Sequence, residues 1–163
     1  MTDRAVCGAL GGYAAGKLDG NGLMNWNTGS SGNVIGSGGA TDADEDMAWA
    51  LLMAGAQWGG GYNAAAVTLI NNIWNHEVEG GRILKPGDNF GGSGQTNPSY
   101  FAPSYYRIFA KATGNNNWMA VLDSSYMILA AAAGANGRVP HWVNSAGAAV
   151  NGPGNDPNGV HCG

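Results

Sequence analysis

The sequence predicts an all-α fold, built of helical hairpins that carry long glycine-rich loops. Apolar residues recur at helical spacing in several separate stretches. Glycines close two of these stretches where a stop signal belongs. Alternation of period two never survives beyond a few residues, so any strands are short.

The elements follow in chain order. A weak helix spans 4–18, interrupted by Gly8, Gly11 and Gly12. Residues 44–56 read as a short helix that is apolar on nearly every face, which makes it central. Val67, Ile70 and Trp74 recur at i, i+3 and i+7 in a helix over 63–79, which Gly80 and Gly81 stop. Pro103 suits the first turn of a helix over 103–113. Its stripe is Tyr105, Ile108, Phe109 and Ala112, and Gly114 closes it. Asn117 is positioned to cap a helix over 117–133 in which Trp118, Val121, Leu122 and Leu129 face one side. The loops 20–40, 80–99 and 137–163 are long for a compact domain, and such loops are usually functional or disordered. There is no internal repeat.

A chain of 163 residues suits one domain with a real core, and 44% hydrophobic residues with six Trp supply it. Charged residues make up only 11%, while Gly reaches 29 residues and Asn is abundant. Such a surface suits neutral, hydroxyl-rich ligands and is equally a habit of many secreted bacterial proteins. The net charge of −4 without a basic cluster excludes nucleic acid as a partner. No run of apolar residues approaches the length of a membrane span. "MTDRAVCGAL" lacks the pattern of a signal peptide. Cys7 and Cys162 either pair, if the termini meet, or stay reduced, so they do not decide the compartment. His76, His141 and His161 have no metal-ligand spacing, and "GGSGQ" lacks the lysine of a phosphate loop; no cofactor is expected. His76 reads as a helix-end residue near the negative pole of the dipole.

The densest charge in the chain is "TDADED" (41–46), which holds four of the eleven acids. Helix capping by Thr41 or Asp42, with further carboxylates near the positive end of the dipole, is the plainest explanation. A calcium loop is the second, because Asp42, Asp44 and Asp46 have its 1-3-5 spacing. It fails, since Met47 and Met53 stand where that loop needs Gly and Glu. Sugar chemistry is the third, because glycosidases work with positioned carboxylates and further acids bind sugar hydroxyls. Spacing alone does not choose between capping and chemistry.

The wider stretch resembles the signature of glycoside hydrolase family 8 at Ala40, Thr41, Asp42, Ala43, Asp44, Met47, Ala48, Ala50, Leu51, Leu52, Ala54 and Trp58. "NGLMNW" (21–26), "TLINNIWNH" (68–76), "LKPGDNFGG" (84–92), "TNPSYFAP" (96–103) and "VPHW" (139–142) resemble further segments of its bacterial endoglucanases, in the same order. The resemblance runs from about residue 18 to the end, which leaves 1–17 atypical within a single domain, 1–163.

This resemblance implies part of an (α/α)6 barrel, with a cleft across the loop end. It implies endo cleavage of β-1,4 bonds in cellulose or related β-glucans with inversion; chitosan and xylan are substrates of the same family. Asp42 matches the aspartate beside the sugar at the cleavage point and is the candidate catalytic residue. Trp26 matches a cleft aromatic, Tyr100 a cleft tyrosine, and Phe90 stands where the cellulases compared usually carry Trp. Asp44 and Asp46 serve the fold through capping and buried hydrogen bonds, and Asp88 braces its loop. The proton donor, a Glu in a Ser-Glu-Gly segment, and the general base, an Asp, match nothing in these residues. Glu45, Glu77 and Glu79 are poorly placed to replace them. The chain is therefore expected to be a central portion of a catalytic domain, with uncovered helix faces that favour self-association. Two other expectations stand beside the enzyme: a non-catalytic carbohydrate-binding remnant, and a helical fragment that folds only by association. The family is extracellular.

Overall fold

The computed structural model describes residues 3–153. The chain runs through α1 (Asp3–Ala15), a hairpin of β1 (Asn25–Thr28) and β2 (Val34–Gly39), α2 (Thr41–Trp58) and α3 (Tyr62–Glu77). A second hairpin of β3 (Val78–Glu79) and β4 (Ile83–Leu84) leads to α4 (Pro103–Thr113) and α5 (Trp118–Ala133). Helices stand where the spacing predicts them, with ends shifted by up to three residues. Single 3₁₀ turns occupy Pro98–Tyr100 and Gly134–Asn136.

The ends show what shifted them. Helix α2 begins at Thr41, and its N-cap, Ala40, is extended and makes no side-chain cap bond. Neither Thr41 nor Asp42 caps: the Thr41 hydroxyl donates to the Lys85 carbonyl at 2.7 Å, and the Thr41 N–H donates to Pro86 at 3.3 Å. A neighbouring loop thus satisfies donors that a capping side chain normally takes. Asn117 likewise stands at the N-cap of α5 without a side-chain cap bond. Gly114, in the left-handed region at φ 74°, ends α4 and donates to the Ala110 carbonyl at 2.9 Å. Helix α1 runs unbroken through its three glycines but buries none of its residues.

The loop expected over 20–40 contains a strand pair. β1 and β2 are antiparallel, with Asn25 opposite Gly39 and register shifts along the ladder. Glycines in β2 and the irregular register hide any alternation, so the sequence pattern does not display this hairpin.

The core lies where α3, α4 and α5 meet. Fully buried Trp118 stacks on Tyr106 at 5.7 Å and meets Phe109 and Trp74 edge-on at 5.3 and 5.2 Å. These geometries suit the ring quadrupoles, worth about 0.5–1.5 kcal/mol per pair beyond burial. Leu69, Ile70 and Ile73 of α3 and Val121 and Leu122 of α5 complete it. Trp118–Asn136 is long and apolar enough to cross a membrane. Its burial of Trp118, Val121, Leu122 and Ile128 in the interior is equally the habit of a core helix. Helix α5 leaves Tyr126 and Met127 exposed.

Candidate active site

Helical geometry sorts the four acids of α2 into two environments. Asp42 and Asp46 face outward, whereas Asp44 and Glu45 are buried. Asp42 lies close enough to half-buried Tyr100 that its charge, added to burial, holds the tyrosine hydroxyl above its ordinary pKa. Asp46 neither caps nor is buried; it accepts a hydrogen bond from Tyr105 at 3.2 Å, and Tyr105 stacks on Trp49.

The β2–α2 junction, which carries Asp42, is tied to two loops. The Gly39 N–H donates to Asp88 Oδ1 at 2.8 Å, and Asn21 Nδ2 donates to Asp88 Oδ2 at 2.7 Å. Asp44 Oδ1 accepts from the Met24 N–H at 2.8 Å. Lys85 Nζ donates to the carbonyls of His76 and Asp88 at 2.8 and 2.6 Å. The expected bracing role of Asp88 and the helix-end position of His76 are both seen here.

The aromatic candidates sit around the same junction. Half-buried Phe90 folds back over Gly87, where a Cβ would fall 2.6 Å from its ring and 2.6 Å from the Gly39 carbonyl. Trp26, 62% exposed, lies against Gly36, where a Cβ would fall 2.3 Å from its ring. Both glycines are set by close approach. The charge of Asp42 thus reaches Tyr100, Phe90 stands beside the strand end leading to Asp42, and Trp26 projects from β1, which pairs with that strand. A cavity of about 680 Å³ lies elsewhere. It separates α1 from α2 and α3, is lined by residues such as Gly8, Gly12, Met47, Leu51 and Leu69, and includes none of the four candidates.

Beneath the junction lies a group of buried acids that sequence reasoning did not bring together. Asp44 and Glu77 are fully buried and Glu45 is 1% exposed. Asp44 Oδ2, Glu45 Oε1 and both Glu77 oxygens have no hydrogen-bond partner among the described residues. Burial first, and Asp44 second, push Glu77 up to about 9. Burial likewise raises Asp44 to about 7 and lifts Glu45, which also faces Glu77, well above the carboxylate range. A Cβ on Gly39 would meet Glu77 Oε1 at 2.7 Å and Asp44 Oδ2 at 3.1 Å, so Gly39 closes over the group. The missed signal is periodic: Glu77 continues the buried stripe of Ala66, Ile70 and Ile73 on α3. Enclosure confirms that Glu45 and Glu77 are poorly placed to act on a substrate, while Glu79 is engaged with the Ser93 N–H.

Among the described residues, no three His, Cys, Asp or Glu are arranged to hold a metal ion. Cys7 is half-buried and has no disulfide partner among the described residues. Cys162 and His161 lie outside the described residues.

The family model for glycosyl hydrolases family 8 matches residues 1–158, a span that includes the atypical first seventeen. Endoglucanase 2 of Ruminiclostridium josui is 49% identical over 85% of the chain and 32% of its own length. Endoglucanase A of Acetivibrio thermocellus is 43% identical over 93% of the chain and 34% of its own length. The chain thus spans about a third of the length of these curated relatives. The apo structure of a beta-1,3-1,4-glucanase from Paenibacillus sp. X4 superposes with a TM-score of 0.75 at 32% identity, over 82% of this chain and 39% of that one. The helical hairpins described above are part of the (α/α)6 barrel of such enzymes.

Proposed function

Because the chain belongs to glycosyl hydrolase family 8, we propose that it forms part of an endo-acting enzyme that cleaves β-1,4-glucosidic bonds in cellulose or related β-glucans with inversion. The observation that carries this is exposed Asp42 in the first turn of α2, with its charge reaching the Tyr100 hydroxyl. A carboxylate and a hydroxyl so placed bind the hydroxyls of one sugar ring and favour its distortion toward an oxocarbenium-like geometry. Trp26 offers its exposed ring to the apolar face of a neighbouring sugar, and Phe90 offers a smaller platform than the expected Trp. The relatives named endoglucanase support a β-glucan in preference to chitosan or xylan.

Asp42 acts on the bound ring and does not fill both halves of an acid/base pair. An inverting reaction needs carboxyl groups about 6.5–9.5 Å apart on opposite sides of the bond, one to protonate the leaving oxygen and one to activate water. Asp44, Glu45 and Glu77 are enclosed and reach no glycosidic bond. The enclosure of these three acids favours a second reading, in which the chain by itself binds the glycan without cleaving it. The residues make one domain, extracellular like its polymeric substrate. It self-associates through exposed apolar side chains such as Tyr126 and Met127.

The test is reducing-sugar release from a soluble cellulose derivative, set beside titration with cello-oligosaccharides, for the chain and for Asp42→Ala. Release abolished by the substitution establishes the enzyme. Binding without release establishes the second reading, and neither refutes both.

A further inference from the structure

We propose that Asp88 is the positioning residue of this end of the molecule, setting the separations among Trp26, Asp42 and Phe90 through the two oxygens of one carboxylate. The proposal rests on the carbohydrate reading above, because those three side chains matter together only if one glycan spans them.

Three segments converge on Asp88. Its Oδ2 takes the side-chain N–H of Asn21, five residues before Trp26. Its Oδ1 takes the backbone N–H of Gly39, three residues before Asp42. Phe90 follows it by two residues and leans on Gly87, which abuts the Gly39 carbonyl. Lys85 fixes the loop from behind by donating to the Asp88 carbonyl. Gly38, at φ 98°, allows the close approach: a Cβ there would fall 2.2 Å from Asn89 Nδ2 and 3.1 Å from Asp88 Oδ1. No other hydrogen-bonding side chain found among the described residues joins all three segments.

A carboxylate is the group this junction requires. Asn21 and Gly39 both reach Asp88 as donors, and an ionised carboxyl accepts at both oxygens. Partial burial raises its pKa, but the bonds from Asn21 and Gly39, the contact with Asp19 and the charge of Lys85 hold it below the ordinary value. Asparagine keeps one acceptor and turns an NH₂ toward the remaining donor, so Asp88→Asn breaks one of the two ties at almost constant volume.

Position is read by ligand length. Cellobiose engages one aromatic platform, whereas cellotetraose gains from a second only when the platforms are correctly spaced. In Asp88→Asn the preference for cellotetraose over cellobiose should shrink about tenfold, with cellobiose affinity changed no more than about twofold. In the ligand-free, isotope-labelled chain, Gly39 amide protection should fall about tenfold or more. The Trp26 indole resonance should move while that of Trp118 in the core stays. Asn21→Ala, which removes one donor and leaves the carboxylate, should shift Trp26 and lose part of the length preference. Equal weakening of both sugars, or an unchanged length preference, overturns the proposal. So do unmoved Gly39 and Trp26 signals in Asp88→Asn, whether or not sugar binds. If the parent chain binds neither sugar while those signals do move, the carbohydrate reading falls and the link among the three segments stands.

Discussion

Glu77→Gln isolates the energetic cost of the buried acids. Glu77 is fully buried at the end of α3, and its pKa is raised from 4.5 to about 9. Its folded-state pKa lies above the unfolded one, so its contribution to stability is fully present below about 4.5. That contribution is lost as pH rises toward the folded value of about 9. At 1.36 kcal/mol per pKa unit, the unfolded state gains about 3 kcal/mol by pH 7 and about 6 kcal/mol above pH 9. Set against a typical total of about 5–15 kcal/mol, this makes the protein sensitive to alkali. Glutamine does not ionise in either state, but its amide adds a further N–H donor to a buried site where both Glu77 oxygens already lack partners, at about 1–3 kcal/mol. Glu77→Gln should therefore be less stable than the parent near pH 5 and more stable near pH 8, with the two curves crossing between. Urea unfolding followed by tryptophan fluorescence across that range measures both curves. Parallel curves that never cross would refute the buried, protonated Glu77.

Three further outcomes are expected. Asp42→Ala should remove glycan turnover or binding while changing stability by no more than about 0.5 kcal/mol, since Asp42 is exposed; activity assays and thermal melts check both halves. Gly36→Ala should tilt Trp26 off the backbone it rests on, because the added Cβ would sit 2.3 Å from the ring; a shifted emission spectrum and weaker oligosaccharide binding, with a melting change of about 1 kcal/mol or less, are the readouts. Sedimentation should show concentration-dependent self-association, reduced by Met127→Lys on the exposed face of α5.

How far the sequence speaks depends on the range of the interaction involved. Helices α2 to α5 were legible because an apolar stripe and a stop signal are local properties, readable within a dozen or so neighbouring residues. The family was legible for a related reason: "ATDADEDMAWALLMAGAQW" compresses a helix entry, its buried face and its exposed acid into one contiguous pattern. Capping of α2 is not legible in the sequence, because the loop around Lys85 and Pro86, more than forty residues away, supplies what Thr41 or Asp42 would have supplied. The β1–β2 pair escaped notice because backbone bonds and glycine contacts hold it, and these leave little trace in a hydrophobic pattern.

Composition and periodicity by themselves determined that the chain is helical and poor in charge. Only the tertiary structure decided which acids meet water. Asp42 and Asp44 are two residues apart, yet one lies exposed at the surface while the other is sealed beneath Gly39 with Glu77. Ionisation depends on what surrounds a carboxyl group in space, and that environment is assembled from β2, α2, α3 and the loop carrying Asp88, segments that meet only when the chain folds.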